Sequence, residues 1–535
     1  MSKKPNIVIV VADDTTPSYH GCYGGPTPTP NIDRLAATGV RFDRGYCNAS
    51  LCCPSRWTLF TGQYTGRSRW AHEDTPEDQP YLISQNGMLD QDTPTLCKAL
   101  REDGYFTGHI GKWHSRFNTE EFGYEEPIFT GGDADDPEVD AEIRKRHALA
   151  VDVVKRTAGF EYVDCVNWGN LGGKQDPRLR AHNPMWMTDG ALQFLDQAAG
   201  DERPFYLHLA NTVPHSPNCQ DSLNVDHRYT WAGKLDEAPK SHPADDTVFE
   251  RMRAAGLQTE GGLAGVNSGV IMIDDQIGAL LEKLERIGEL ENTIFIYTAD
   301  HGVPGKGSCY VRGQHLPFVM SWPRGLKAGM VVNDIFSWAD MVPTLADACG
   351  VEMPKDHILD GASVLPALRD EAEWPRKVHY HEMGWSRSVI KGRYQYIANR
   401  YPKAAIEAMK QGDESVQPGI GTGFDKLNAP HIPDYFEPDQ LYDLATDTFE
   451  RHNLAKDPTR AAVLEDLKAE LKKITDSLPR PFPAEPDPWL QSGEYQNLLA
   501  KRRAEVDAIE HYPPNCDVPR VWFANLHDPG APDPS

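Results

Sequence analysis

Two short apolar runs, NIVIVVA at 6–12 and TIFIYTA at 293–299, each end at once on a charged pair, Asp13-Asp14 and Asp300-His301. Each run is as long as one strand and predominantly apolar rather than alternating, the pattern of a strand covered on both faces. In open sheets built from such strands, ligands collect beyond the carboxyl ends. Taken alone, an Asp-Asp pair after a strand could equally be a turn or a helix cap. Finding a second pair in the same topological position predicts one shared, oxygen-rich site for calcium, magnesium or manganese.

Further strand candidates at 105–110 (YFTGHI), 204–211 (PFYLHLAN) and 317–321 (PFVMS) alternate with helix candidates at 93–103, 184–199, 263–288 and 338–349. That alternation predicts an α/β fold, a sheet with helices on both faces. The expected main domain covers 1–378, and the polar stretch 115–183 reads as an irregular insertion beside a site. Beyond it, KVHYHEM, SVIKGRYQYIAN and a helix at 460–477 predict a small α+β subdomain over 379–480. The proline-rich tail 481–535 reads as a surface arm or a contact between copies in a homo-oligomer.

With 54 basic against 79 acidic residues the chain carries a formal charge of −25, which disfavours nucleic acid and anionic membranes as partners. No run approaches about 18 apolar residues, as a membrane helix requires. The opening MSKKPNIVIVVADD is too short in its apolar part for a secretory leader, so a cytoplasmic protein is expected. The ten cysteines include no CxxC pair and read as reduced thiols without a structural zinc.

Two of those cysteines stand together in LCCPSRWTLFTGQYTGR, residues 51–67. Pro54 suits the first turn of a helix, whose free N–H groups would attract an anion. Arg56 adds a planar fork matched to sulfate or phosphate oxygens. On local physics, a cysteine there could be a nucleophile with a lowered pKa or a buried structural thiol.

The string Cys52-Cys53-Pro54-Ser55-Arg56, followed by Leu59, Thr61 and Gly62, resembles the sulfatase signature that opens C-x-P-S-R. GYFTGHIGKWH (104–114) is similar to the family's second signature, and VVADD and YTADHG (297–302) to its two metal-ligand segments. NTVPHSP (211–217), GKGSCY (305–310) and LYDLATDTFERHNLAKDP (441–458) resemble three more of its segments. The likeness runs from residue 6 to about 477, leaving out 115–183 and the tail. It implies an alkaline-phosphatase-like mixed sheet with a small C-terminal subdomain, and hydrolysis of aryl or small alkyl sulfate monoesters.

By this resemblance Cys52 is the position that a formylglycine-generating enzyme converts to formylglycine, whose hydrate attacks sulfur to give a covalent sulfo-enzyme, while Cys53 falls on a variable position. Asp13, Asp14, Asp300 and His301 would bind one divalent cation, calcium before manganese or magnesium, with residue 52 completing the sphere. Arg56 and Lys112 would hold the sulfate, Lys306 and His215 would serve the leaving oxygen, and His114 would take the proton that releases sulfate. His301 stands where many arylsulfatases have asparagine; choline sulfatases and phosphonate monoester hydrolases resemble the chain there. A phosphonate monoester hydrolase or phosphodiesterase is therefore the nearest alternative, and an anion-binding protein with unconverted Cys52 a more distant one.

Overall fold

The computed structural model describes residues 3–73, 75–115, 117, 119–123, 131–172, 176–241 and 245–507. The part of the tail from 508 onwards lies outside them. The main sheet is built from β1 (Asn6–Ala12), β2 (Val40–Phe42), β3 (Phe106–Trp113), β4 (Tyr162–Trp168), β5 (Phe205–Ala210), β6 (Thr293–Ala299), β7 (Phe318–Ser321) and β8 (Met330–Val332). Their spatial order is β8-β2-β7-β6-β1-β5-β3-β4. Only β7 runs against its neighbours β6 and β2; every other pairing is parallel. The expected mixed α/β sheet is what forms.

The helices that matter below are α1 (Cys52–Thr61), α2 (Leu96–Glu102), α3 (Pro137–Ala158), α4 (Pro184–Ala199), α5 (Gly262–Arg286), α6 (Met341–Cys349) and α7 (Ala461–Thr475). Helices α4 and α5 pack together, and α1, α2 and α6 form a second group. Successive residues of β3 show that the groups lie on opposite faces, as the pleat requires. Gly108 lies against the Phe194 ring of α4, whereas His109 stacks on His208, which in turn meets Phe60 of α1.

Strands β1 and β6 match the expected runs residue for residue, and both are wholly buried. Strands β2 and β8 have three residues each, too few to show a period. The stretch 115–183 departs from the irregular insertion expected of it, since it holds the 22-residue helix α3 and the edge strand β4. Most of α3 faces solvent, so its composition reads as a loop. Its buried stripe is narrow: Ile143, Ala150, Val153, Val154 and Thr157. The start signals were nonetheless present, with Asp136 accepting from the Glu138 amide at 2.8 Å and Pro137 at the first helical position. Helix α2 begins later than the expected residue 93, because Thr95 is the residue whose hydroxyl caps it, accepting from Lys98 N at 3.2 Å.

After residue 377 the chain forms the antiparallel sheet β9 (Val378–Met383), β10 (Ser386–Lys391), β11 (Tyr394–Asn399) and β12 (Asp439–Asp443). One face, through Met383, Ile390, Ile397 and Tyr442, continues the main core. The other is covered by Leu464, Leu467 and Leu471 of α7, spaced three and four apart on one helical stripe. The junction is pinned by Arg376, whose guanidinium donates twice to Asp340, at 2.5 and 2.6 Å. Asp340 is fully buried and also accepts from the Ser337 and Ala362 amides. Removing one partner of a buried pair strands the other charge. Asp340→Ala should therefore lower unfolding free energy by about 3–5 kcal/mol, read from urea denaturation curves; a loss below about 1 kcal/mol would show that the pair does not pin the junction.

Candidate active site

The β1–β6 register pairs Ala12 with Ala299, so the residues that follow, Asp13 and Asp300, emerge side by side at one sheet edge. The chain then turns sharply at Asp14, whose φ of 68° is left-handed, a conformation uncommon for a residue with a Cβ. The turn lets the Asp14 amide donate to Asp300 Oδ1 at 3.2 Å and brings Asp14 Oδ1 to 3.1 Å from His301 Nε2. His301 Nδ1 lies 3.3 Å from the Gly302 carbonyl, and burial holds the ring's pKa below that of an ordinary histidine; a ring protonated on Nδ1 would turn an Nε2 lone pair toward the carboxylates.

Helix α1 enters this edge with its N-terminus. All ten of its residues are buried, and no side chain caps it at Leu51; instead the Cys53 amide donates to Gln85 Oε1 at 3.1 Å. Cys52 and Arg56, four apart, share one helical face. Arg56 Nη2 donates to Asp300 Oδ2 at 3.0 Å, and the Ser55 hydroxyl donates to the Asp300 carbonyl. Cys52 Sγ sits 3.4 Å from His301 Nε2, 3.7 Å from Asp13 Oδ1 and 3.8 Å from Lys112 Nζ. Burial pushes the Cys52 thiol well above its ordinary pKa, although Lys112 opposes it.

Lys112 reaches the cluster because β3 is irregular. Its register against β4 shifts between Ile110 and Lys112, and Gly111 between them has φ 97°. A Cβ at Gly111 would lie 2.1 Å from the Ala210 carbonyl oxygen, so only glycine permits the close approach. The Lys112 ammonium, 1% exposed, donates to Asp13 and to Asn170 Oδ1, the latter at 2.6 Å. Burial acts to discharge it, but Asp13 wins and holds its pKa above the ordinary lysine value. His114 follows just past the strand. Burial, reinforced by Lys112 and Arg56, holds its pKa well below that of an ordinary histidine, so it is neutral at physiological pH. Its Nδ1 meets no hydrogen-bond partner among the described residues.

On the other side, Lys306 Nζ lies 2.8 and 2.9 Å from the two Asp14 carboxylate oxygens, and His215 Nε2 is 3.5 Å from Asp14 Oδ2. Burial would raise the Asp14 pKa, yet Lys306, His215 and His301 together hold it below the usual carboxylate range.

Ligand atoms of Asp13, Cys52, Asp300 and His301 all lie within 4.8 Å of one another, as do those of Asp13, Asp14, Cys52 and His215. The buried carboxylates of Asp13 and Asp300, the partly exposed one of Asp14 and the His301 imidazole form a donor set that fits an oxygen-preferring divalent cation. The ten residues singled out from the sequence thus stand around one point, although His114 hydrogen-bonds none of the others. His215, expected to serve only a leaving group, also stands within the second donor set. Sequence reasoning missed Asn170 and Gln85. Asn170 follows β4 as Asp13 follows β1, so the strand-end rule would have found it had the strand been recognised inside 115–183.

Comparison with known proteins agrees with this geometry. The family model described as Sulfatase matches residues 5–351, more than half of the chain, and that described as N-sulphoglucosamine sulphohydrolase, C-terminal, matches 299–404. An N-acetylglucosamine-6-O-sulfatase of Bacteroides thetaiotaomicron is 28% identical over 450 residues, covering 71% of this chain and 74% of that protein. An ulvan-active sulfatase of Formosa agariphila is 26% identical, covering 87% and 79%. Among solved structures, a phosphonate monoester hydrolase from Silicibacter pomeroyi shares the fold, with a TM-score of 0.59 at 18% identity, covering 89% of this chain and 96% of that one. The Sulfatase match spans both acidic strand ends and the helix that carries Cys52, and the chain accordingly belongs to the sulfatase family, the hydrolases of sulfuric esters.

Proposed function

We propose that this sulfatase cleaves sulfate monoesters at residue 52, with aryl sulfates and sulfated sugars as the substrate classes. The observation that carries the reading is the convergence of Cys52 with three carboxylates and three cations at one buried strand edge. The charges of Asp13, Asp14 and Asp300 are balanced by Arg56, Lys112 and Lys306. A divalent cation held by Asp13, Asp14, Asp300 and His301, calcium foremost, would tip that balance positive and supply Lewis-acid neutralisation of the ester's charge. Formylglycine made from Cys52 would supply an oxygen nucleophile where the structure has sulfur.

The chain's own residues then divide the remaining work. Arg56 and Lys112 orient the non-bridging sulfate oxygens, as a planar fork and a point charge respectively. Lys306 and His215 deliver a proton to the leaving oxygen, which is general-acid work. His114, kept neutral by burial and by Lys112 and Arg56, can accept a proton from the residue-52 side chain. The sugar class is supported by the relatives named for 6-sulfated N-acetylglucosamine and for ulvan.

A second reading, phosphonate monoester hydrolysis, is favoured by His301, since an imidazole in the donor set admits manganese more readily than an amide would. Turnover of 4-nitrophenyl sulfate, glucosamine 6-sulfate, choline sulfate and a phenyl phosphonate monoester, each with calcium and with manganese, tests the two. A sulfate ester should be fastest; a phosphonate ester ahead of every sulfate would establish the second reading.

The same assay tests the site's electrostatics. The global charge of −25 repels an anion, but beyond a Debye length of about 8 Å at physiological salt it is screened, and contacts inside the cleft much less so. The wild-type kcat/KM should stay flat or rise slightly with added salt, whereas Lys112→Ala should raise the barrier by roughly 2–4 kcal/mol, as loss of a preorganised oxyanion donor does. A steep fall of the wild-type value with salt would show that long-range attraction dominates.

A further inference from the structure

Between β11 and β12 the chain leaves the small sheet and lays a strap, residues 419–428 (GIGTGFDKLN), on the loop that carries Lys306. Three contacts hold that loop. Asn428 Nδ2 donates to the Lys306 carbonyl at 2.9 Å, and Thr422 Oγ1 donates to the Gly307 carbonyl at 2.8 Å. The Phe424 ring lies over Gly307 so closely that a Cβ there would come within 2.6 Å of it. From beneath, Ser50 accepts the Gly307 amide on its carbonyl and the Ser308 amide on its hydroxyl, at 2.8 and 3.0 Å. The strap is itself braced: Asp425 Oδ1 accepts from the Ile420 amide and the Tyr435 hydroxyl, and the Ile420 carbonyl accepts from Trp385 N.

We infer that Thr422 and Asn428 are positioning residues for Lys306, so that the small C-terminal sheet sets how well the enzyme expels a poor leaving group. The inference rests on the general-acid role proposed for Lys306. The physical reason is that the lysine has a long flexible stem, so the aim of its ammonium, held at its tip by Asp14, also depends on a clamped backbone. Ser50 grips the loop from the Cys52 side, while Thr422 and Asn428 grip it from outside, at the carbonyls of Gly307 and Lys306. Loosening the outer clamp leaves Arg56 and Lys112, which hold sulfate, untouched. Proton delivery matters little when the departing phenolate is stable and much when it is basic. The strap is therefore a determinant of leaving-group tolerance rather than of sulfate binding.

The test compares wild type, Thr422→Val, Asn428→Asp and Lys306→Ala on 4-nitrophenyl sulfate and on phenyl sulfate, whose phenol is the weaker acid. In all three variants the loss on phenyl sulfate should exceed the loss on 4-nitrophenyl sulfate, by about tenfold for the two strap variants, a fraction of the general-acid contribution. KM should change less than kcat. Hydrogen exchange of the amides at 303–308 should quicken in the strap variants. Thr422→Val removes one hydroxyl from a partly exposed position and keeps the test available if Asn428→Asp does not fold. Equal losses on the two esters, no loss on either, or unchanged exchange would each overturn the assignment. If wild type turns over neither ester, the action on aryl sulfates proposed above falls, and this inference with it.

Discussion

Cys52→Ala should remove essentially all turnover, by about 10⁴-fold or more, as loss of a nucleophile does elsewhere, whereas Cys53→Ala should keep most of it. The two neighbours differ in what their side chains meet. Cys52 Sγ lies within 4 Å of His301, Asp13 and Lys112, while the Cys53 backbone amide donates to Gln85, a contact that an alanine would preserve. Mass spectrometry of the tryptic peptide ending at Arg56 should find the sulfur at 52 replaced by an aldehyde oxygen when the protein is made with a converting enzyme, and the sulfur at 53 retained. Full turnover in Cys52→Ala with none in Cys53→Ala would reverse the assignment.

Asp300→Asn should cost both metal and stability. Its carboxylate accepts from Arg56, from the Asp14 amide and from its neighbour's amide, so it is the hub of the strand-end cluster. Even changes behind the ligands typically cost about 10–100-fold in metal affinity, so a direct ligand should cost at least about 100-fold. Arg56, 2% exposed, would lose its ion-pair partner, and an uncompensated buried charge costs about 3–5 kcal/mol. Atomic emission after dialysis should show bound calcium falling with activity. A complementary readout is Tm: calcium should raise it in wild type, since a ligand that binds only the folded state stabilises it, and should not in the variant. Full occupancy in Asp300→Asn would take Asp300 out of the ligand set.

Much of this site was visible in the sequence because its chemistry sits at the ends of strong strands. Asp13 and Asp300 follow seven-residue runs, predominantly apolar and rich in β-branched residues, that read as buried strands, and the parallel register does the rest. Lys112 and His114 were likewise legible from the resemblance of 104–114 to a known signature, but the reason Lys112 points inward was not: it depends on the kink at Gly111, which only a neighbouring carbonyl reveals. Asn170 was hidden because the strand before it, YVDCVNW, mixes polar residues into an edge position beside the polar, solvent-facing α3. Thr422 and Asn428 lie more than one hundred residues from Lys306 and meet it through backbone carbonyls, a kind of contact that no local pattern encodes.

The place of β1 in the sheet also governs how the chain must be made. Its two hydrogen-bonding edges are filled by β5 and β6, the latter from the far side of α5. A nascent chain that has emerged only as far as β5 therefore carries a seven-residue strand, apolar from Ile7 to Ala12, with one bare edge, the template on which unfinished chains associate. That edge closes only when residues 293–299 arrive, a contact of long sequence separation and correspondingly slow to form. Fragments ending before β6 should thus be chaperone-dependent and insoluble, and the apolar character that makes β1 such a dependable core strand makes the interval on the ribosome before β6 arrives its most exposed.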